Sequence, residues 1–492
     1  MTRPAARRRS SVTVALAALA AASAPVVPSL PVLQAVVSFD GQALPAAGVQ
    51  VVTSLPGLHM QVVRGSLPAL GRLAATPGVR GVAPDVAVGV TGGEDDGTDS
   101  GAGFLASAGL GGVAGRPGAG AGARVVVVDT GVSDTPALNR ASGRLIDAVD
   151  TSSGSIETGG TYDDGYGHGT FMADIVAGGP VPGMDGAAIG VAPGATVLVA
   201  RVARPDGTTS LSRVLAALEW VYVHASDVDV ANLSLSSHRP FHEYGADPLT
   251  DAVEKVRDAG VAVVVSAGNR RSELGDPGFD PKAITVGAAD LDKNRVAVFS
   301  GSDTVAGVDK PDVVASGVHV LGLLPPDSVL AQAPDTLQLP NGLFRGTGTS
   351  QAAAVTSGLA ALVVAAHPEA TAAQVKATLR CSASDLRGHR DGAGLVHAST
   401  TLCSGPDGQA LDGSGDLTGE AQLDASSWGA SSWGASSWGA SSWGASSWGA
   451  SSWGASSWGA SSWGASSWAA SSWAASSWAA SSWGLAPMED LP

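Results

Sequence analysis

Charge is scarce in this chain of 492 residues: Asp, Glu, Lys and Arg make up 15% of it, well below the usual quarter. Positive charge is scarcer still, with 28 Lys and Arg against 44 Asp and Glu and a formal net charge of −16. Binding phosphate needs basic stripes, so nucleic acid is excluded as a partner. The acidity serves solubility and suits a secreted protein. Cysteine occurs twice, as Cys381 and Cys403. Their proximity reads as one disulfide closing a short loop in an oxidising compartment; two buried free thiols are the other reading. Beyond the N-terminus no stretch reads as long and apolar enough to cross a bilayer. Glycine (66 residues) and alanine are plentiful instead, which suits a tight core with close backbone approaches.

At this length, segments with different jobs are expected. Residues 1–30 read as a signal peptide: Arg3, Arg7, Arg8 and Arg9, an apolar run at 12–22, and Ala22-Ser23-Ala24 for cleavage. The arginines weakly resemble a twin-arginine signal, leaving the export route open. Residues 31–92 read as a small α/β unit, with strands at 35–39, 49–53 and 59–63 and a helix at 67–75 capped by Ser66. A last strand at 82–90 leads into a polar stretch, 93–103, suited to proteolysis.

From Arg124 the pattern alternates. Val125-Val126-Val127-Val128 is a continuous apolar run, as in a strand buried on both faces, and 197–202, 228–233, 261–266 and 283–286 are similar. Helix-like stretches lie at 170–177, 211–225, 249–259, 350–366 and 372–379. This order predicts an α/β fold, a mainly parallel sheet with helices on both faces and its polar site at the carboxyl ends of the strands.

Three polar residues stand at such places. Asp129 follows the first apolar run in Val128-Asp129-Thr130-Gly131, His168 lies in Gly167-His168-Gly169-Thr170, and Ser350 lies in Gly346-Thr347-Gly348-Thr349-Ser350 before an apolar helix. A serine at a helix N-terminus needs a base, and the N–H groups there would stabilise an oxyanion. Asn232-Leu233-Ser234-Leu235, Ser266-Ala267-Gly268-Asn269 and Lys310-Pro311-Asp312-Val313-Val314-Ala315 accompany them. In this order the motifs resemble those of the subtilisin-like serine proteases, over about residues 104–404.

The resemblance implies a serine endopeptidase of subtilisin-like fold with Ser350 as nucleophile, His168 as general base and acid, and Asp129 as its orienting partner. Asn269 and the Ser350 N–H would form the oxyanion hole. Ser234, Leu235, Ser236, Ser266, Ala267 and Gly268 would bind extended substrate and line the specificity pocket. Three positions depart from the family pattern: Gln351 for a methionine, Phe171 for a histidine, and Ser236 for a glycine, which narrows the pocket mouth. Arg270 and Arg271 after the asparagine suggest a taste for acidic substrates. No cofactor is required for catalysis. Structural calcium is known in the family, but no ligand set is assignable, and Asp163 and Asp164 read as solvated loop charges.

The resemblance also makes 31–92 an inhibitory propeptide, cut by the enzyme itself between about 88 and 107. After a linker at 405–424, residues 425–484 repeat Ala-Ser-Ser-Trp-Gly, and 485–492 form a short tail. Twelve of the thirteen tryptophans fall there, one every five residues, a period that fits neither helix nor strand. Such a disordered, sticky segment would retain the secreted protein at a cell wall or matrix, or act as a spacer. The competing function is a surface binding protein in which these repeats do the work.

Overall fold

The computed structural model describes residues 32–41, 48–90, 114–181, 186–237, 247–271, 273–305, 308–334, 336, 338–386 and 390–403. The expected signal peptide, the 93–103 and 405–424 linkers, the tryptophan repeats and the 485–492 tail lie outside the described residues. The described residues divide into two units, one holding those within 32–86 together with 247–251, the other those within 87–237 and 252–403.

In the first unit, β1 (Val32–Phe39), β2 (Val49–Leu55), β3 (Met60–Ser66) and β4 (Val79–Pro84) form an antiparallel sheet ordered β2-β3-β1-β4. Helix α1 (Leu67–Ala74) lays Leu70 and Leu73 over Ala35, Val37 and Val63. Ser66 stands at its N-cap without a capping bond, while Pro68 in the first turn presets the helical φ. Asp251 in this unit pairs with Arg80, Nη2 to Oδ2 at 2.5 Å.

The expected single strand at 82–90 is two. β4 ends at Pro84, with one further bond to β1 beyond it, from Asp85 N to Gln34 O at 3.2 Å. β5 (Ala87–Val90) belongs to the second unit, between two short strands described below.

The second unit carries β6 (Arg124–Asp129), β7 (Leu145–Asp150), α2 (His168–Ala177), β8 (Thr196–Arg201), β9 (Thr209–Ser210) and α3 (Leu211–Val223). Then come β10 (Val230–Leu233), β11 (Leu235–Ser236), α4 (Pro248–Asp258, whose first four residues fall in the first unit), β12 (Ala262–Ser266), β13 (Ile284–Asp290) and β14 (Arg295–Val296). After them follow β15 (Asp303–Val305), β16 (Val308–Lys310), β17 (Val313–Ser316), β18 (Val320–Gly322), α5 (Val329–Gln332), β19 (Phe344–Gly346), α6 (Thr349–Ala366) and α7 (Ala372–Cys381). Eight strands make one sheet, ordered β14-β13-β12-β10-β6-β8-β7 with β17 also on β13; every pairing is parallel except β13–β14. The fold is thus the expected mainly parallel α/β sandwich. Its centre is apolar on both faces: Val125, Val126, Val127 and Val128 are all at most 1% exposed.

Helix α6 packs on β10, β12, β13 and β17, and also on α2. By length and composition it would pass for a membrane span, against the sequence reading, yet its window is 89% buried in the protein. It is the core helix of the unit. Cys381, the last residue of α7, is disulfide-bonded to Cys403, with the Cα atoms 6.1 Å apart.

Candidate active site

Asp129 is the last residue of β6, His168 the first of α2 and Ser350 the second of α6. All three are buried, at 1%, 3% and 0% exposure. The structure joins the first two directly: His168 Nδ1 lies 2.8 Å from Asp129 Oδ1, which also accepts from the Thr130 N–H at 2.8 Å. A carboxylate can only accept, so the imidazole carries its proton on Nδ1 and leaves Nε2 as the base. That Nε2 makes no hydrogen bond among the described residues. Ser350 Oγ instead donates to the Ser234 carbonyl at 3.0 Å. Catalytic hydrogen bonds often tighten only with substrate in place.

Two glycines let these elements meet. A Cβ on Gly169 would lie 2.2 Å from Gly131 O and 3.1 Å from Asp129 Cβ, so α2 can rest on the Asp129 loop only with glycine there. Gly167, at φ +109°, turns the chain into the helix in a conformation glycine alone adopts easily.

The anchor of this loop is Asp164, which is buried rather than solvated as its sequence context suggested. Its Oδ1 accepts from Thr130 Oγ1 at 2.8 Å, Tyr166 N at 3.1 Å and Gly167 N at 2.7 Å. Its Oδ2 accepts from Thr170 N and Thr170 Oγ1, both at 2.8 Å. One carboxylate therefore binds the entrance to α2 and, through Thr130, the neighbour of Asp129. Thr130 Oγ1 in turn accepts from the Gly169 N–H at 2.9 Å. Burial pushes the Asp164 acid up, while the Gly167 and Thr170 N–H groups pull it down. An acidic residue four positions before a helix-opening histidine was the available signal, since anions favour helix N-termini. Asp163, by contrast, is exposed and faces Arg140 at 3.3 Å.

Ser350 is fixed from the sheet side. Ser234 Oγ donates to the Ser350 carbonyl at 3.0 Å and accepts from Asn232 Nδ2 at 2.9 Å; Asn232 Oδ1 accepts from Ser357 Oγ at 2.9 Å. Asn269 Oδ1 accepts from Thr349 N at 3.0 Å and Thr349 Oγ1 at 2.9 Å. Those bonds define the orientation of its amide and turn the NH₂ donor away from Thr349.

The expected substrate-binding residues form one wall. β5 pairs antiparallel with β11, Val90 opposite Leu235 and Gly89 opposite Ser236, and its other edge pairs with β9. Ser266 Oγ donates to Leu235 O at 3.4 Å, and Gly275 N donates to Ala267 O at 2.9 Å. The 275–278 segment, with its cis Asp276–Pro277 bond, completes this wall and was not singled out in the sequence. Two departures from the family pattern share one neighbour: a Cβ at Gly346 would lie 2.6 Å from Gln351 Nε2 and 2.9 Å from the Phe171 ring. Arg270 and Arg271 are exposed on the turn after Asn269. Among the described residues, no group of three or more His, Cys, Asp or Glu is placed to hold a metal ion.

Residues 120–401 match the Subtilase family. Serine protease AprX of Bacillus subtilis (strain 168) is 34% identical over 304 residues, covering 58% of this chain and 66% of AprX. Subtilisin BL of Lederbergia lenta is 32% identical over 281 residues, 57% of this chain and 90% of its own. The match thus spans just under two thirds of AprX. Among solved structures, fervidolysin from Fervidobacterium pennivorans, described as a keratinolytic enzyme related to subtilisin, superposes with a TM-score of 0.59 at 24% identity. That match covers 75% of this chain and 60% of fervidolysin. It supports the fold.

Proposed function

Since the chain belongs to the subtilase family of serine-type endopeptidases, we propose that it hydrolyses peptide bonds through Asp129, His168 and Ser350 by way of an acyl-enzyme. The observation that carries this reading is the buried 2.8 Å bond between His168 Nδ1 and Asp129 Oδ1. Ser350 Oγ leaves the Ser234 carbonyl and attacks the substrate carbonyl while His168 Nε2 takes its proton. The same nitrogen then gives the proton to the departing amine, and Asp129 stabilises the imidazolium between the two steps. The Asn269 NH₂ and the Ser350 N–H receive the oxyanion, at the N-terminal end of α6 where the helix dipole favours negative charge. Water releases the acyl group by the same route.

The enzyme is made as a secreted zymogen in this reading. The inhibitory propeptide lies within residues 31–92, and β5, lying between β9 and β11, holds the place of an extended substrate. Added-strand binding of this kind supplies main-chain hydrogen bonds whatever the sequence bound. The repeats of 425–484 retain the mature protein at the cell wall or matrix, and their deletion should move it to the medium.

Expression of the parent and of Ser350→Ala tests the proposal. The parent should shorten itself at the N-terminus and cleave casein; the variant should stay full-length and inert. Equal processing and equal casein cleavage in the two would overturn it.

A further inference from the structure

In serine endopeptidases one determinant of substrate choice is the side chain that precedes the cut bond. The strand β5 sets the register. Gly89 lies opposite Ser236 and Val90 opposite Leu235, so a bound chain extended by one residue would stand opposite Ser234. Ser234 is the residue whose carbonyl accepts from Ser350 Oγ at 3.0 Å. Opposed residues of an antiparallel pair share a face, so a residue at that place would lie beside the Ser350 hydroxyl with its side chain on the face that Ser234 and Ser236 share.

The wall formed by β11, 266–268 and 275–278 is floored by glycine. A Cβ on Gly275 would lie 2.5 Å from Ser236 Cβ and 2.7 Å from Ser236 Oγ, and one on Gly268 would lie 3.8 Å from the same Oγ. Ser236 thus reaches across the bare faces of both glycines and fills part of the slot between them. It is held there: the next residue, Ser237, exchanges backbone hydrogen bonds with Asp276 at 3.0 and 3.1 Å and donates its hydroxyl to Asp276 Oδ2 at 3.1 Å. Widening the slot would mean breaking that pairing.

We propose that Ser236 is the specificity-determining residue of this site, restricting the residue before the cut bond to small side chains such as Ala, Ser or Thr. The inference rests on the endopeptidase reading above. The chain's own sequence agrees: the residue that follows β5 is Thr91, and Gly92 comes next. In its first turnover, then, Ser350 Oγ would bond to the Thr91 carbonyl carbon and the proton would pass through His168 to the Gly92 nitrogen. Water would then free the Thr91 carboxylate.

The test uses the full chain and peptides of sequence Ala-Val-Gly-Val-X-Gly with X = Ala, Thr, Leu or Phe. The parent should cut X = Ala and Thr at least about tenfold better in kcat/KM than Leu and Phe, and Ser236→Gly should raise Leu and Phe by about tenfold or more. Ser236→Ala, which keeps the Cβ over Gly275, should retain the parent's order. The mature N-terminus should be Gly92. Equal cutting of all four peptides by the parent, an unchanged order in Ser236→Gly, or a mature chain beginning after Phe104 or Leu105 would overturn the inference and leave the endopeptidase standing. A parent that cuts none of the peptides and no casein would overturn both.

Discussion

Asp164→Asn is the most informative single change, because it keeps the volume and removes half of the acceptor. The carboxylate receives five hydrogen bonds, three on Oδ1 and two on Oδ2. An amide retains one oxygen. If it faces Tyr166 and Gly167, the new NH₂ confronts the Thr170 N–H, and at least two bonds to a charged acceptor are lost. At about 1.5–3 kcal/mol each the gross loss is about 3–6 kcal/mol. Part is recovered because the variant no longer buries a charge, which leaves a net destabilisation of about 2–3 kcal/mol. The larger consequence is positional. His168 opens the helix that Asp164 ties down, and a catalytic group misplaced by about 1 Å costs on the order of 10²-fold in rate. Steady-state kinetics on a short peptide should show kcat reduced by about 10–100-fold with KM within about threefold, since no substrate contact is touched. Melting should be followed in the Ser350→Ala background to prevent autolysis. A kcat within twofold of the parent, whatever the melting temperature, would refute a positioning role for Asp164 and leave it a purely structural one.

Three further outcomes follow from the same geometry. Asn269→Ala should lower kcat by roughly 10²–10³, a figure taken from the matching donor of a subtilisin, and unaltered kcat would remove Asn269 from the oxyanion hole. Burial pushes the Asp174 acid from its ordinary 3.8 up to about 8, against the Thr135 hydrogen bond at 3.0 Å and the Arg144 charge. The stability it allows is complete below about pH 4 and is lost as the pH rises towards 8, where the unfolded chain has ionised and the native one resists doing so. Asp174→Asn should therefore melt with a flatter pH dependence between pH 4 and 8, and an unchanged slope would contradict this. Replacing Cys381 and Cys403 by serine opens a cross-link of sequence separation 22, for which chain entropy gives about 3 kcal/mol. Urea titration of the Ser350→Ala form should show a loss of this order, and coincident curves would refute it.

What could be read from the residues was what local pattern determines. Asp129, His168 and Ser350 each sit beside glycines that the backbone needs, so their motifs carry both chemistry and geometry. The buried parallel strands announced themselves as unbroken valine runs. The short strand β17 entered only as part of the Lys310–Ala315 motif, and the mixed strand β7, with Ile146 exposed, has no clear period; neither was read as a strand. The 82–90 stretch looked uniform because strand propensity does not register a change of partner. Asp164 was misjudged for a related reason. A loop aspartate is solvated by default, and only its five donors, gathered from residues 130 to 170, reveal otherwise. The floor of the substrate slot likewise depends on Gly275 meeting Ser236 across the fold, which no local pattern encodes.

The central claim is that one imidazole, held by Asp129, activates the hydroxyl of Ser350. Labelling the self-processed protein with a fluorophosphonate, followed by peptide mapping, tests it most directly. The account predicts phosphonylation of Ser350 alone, at a rate that collapses in His168→Ala. Label on another serine, or undiminished labelling of Ser350 in His168→Ala, would contradict it.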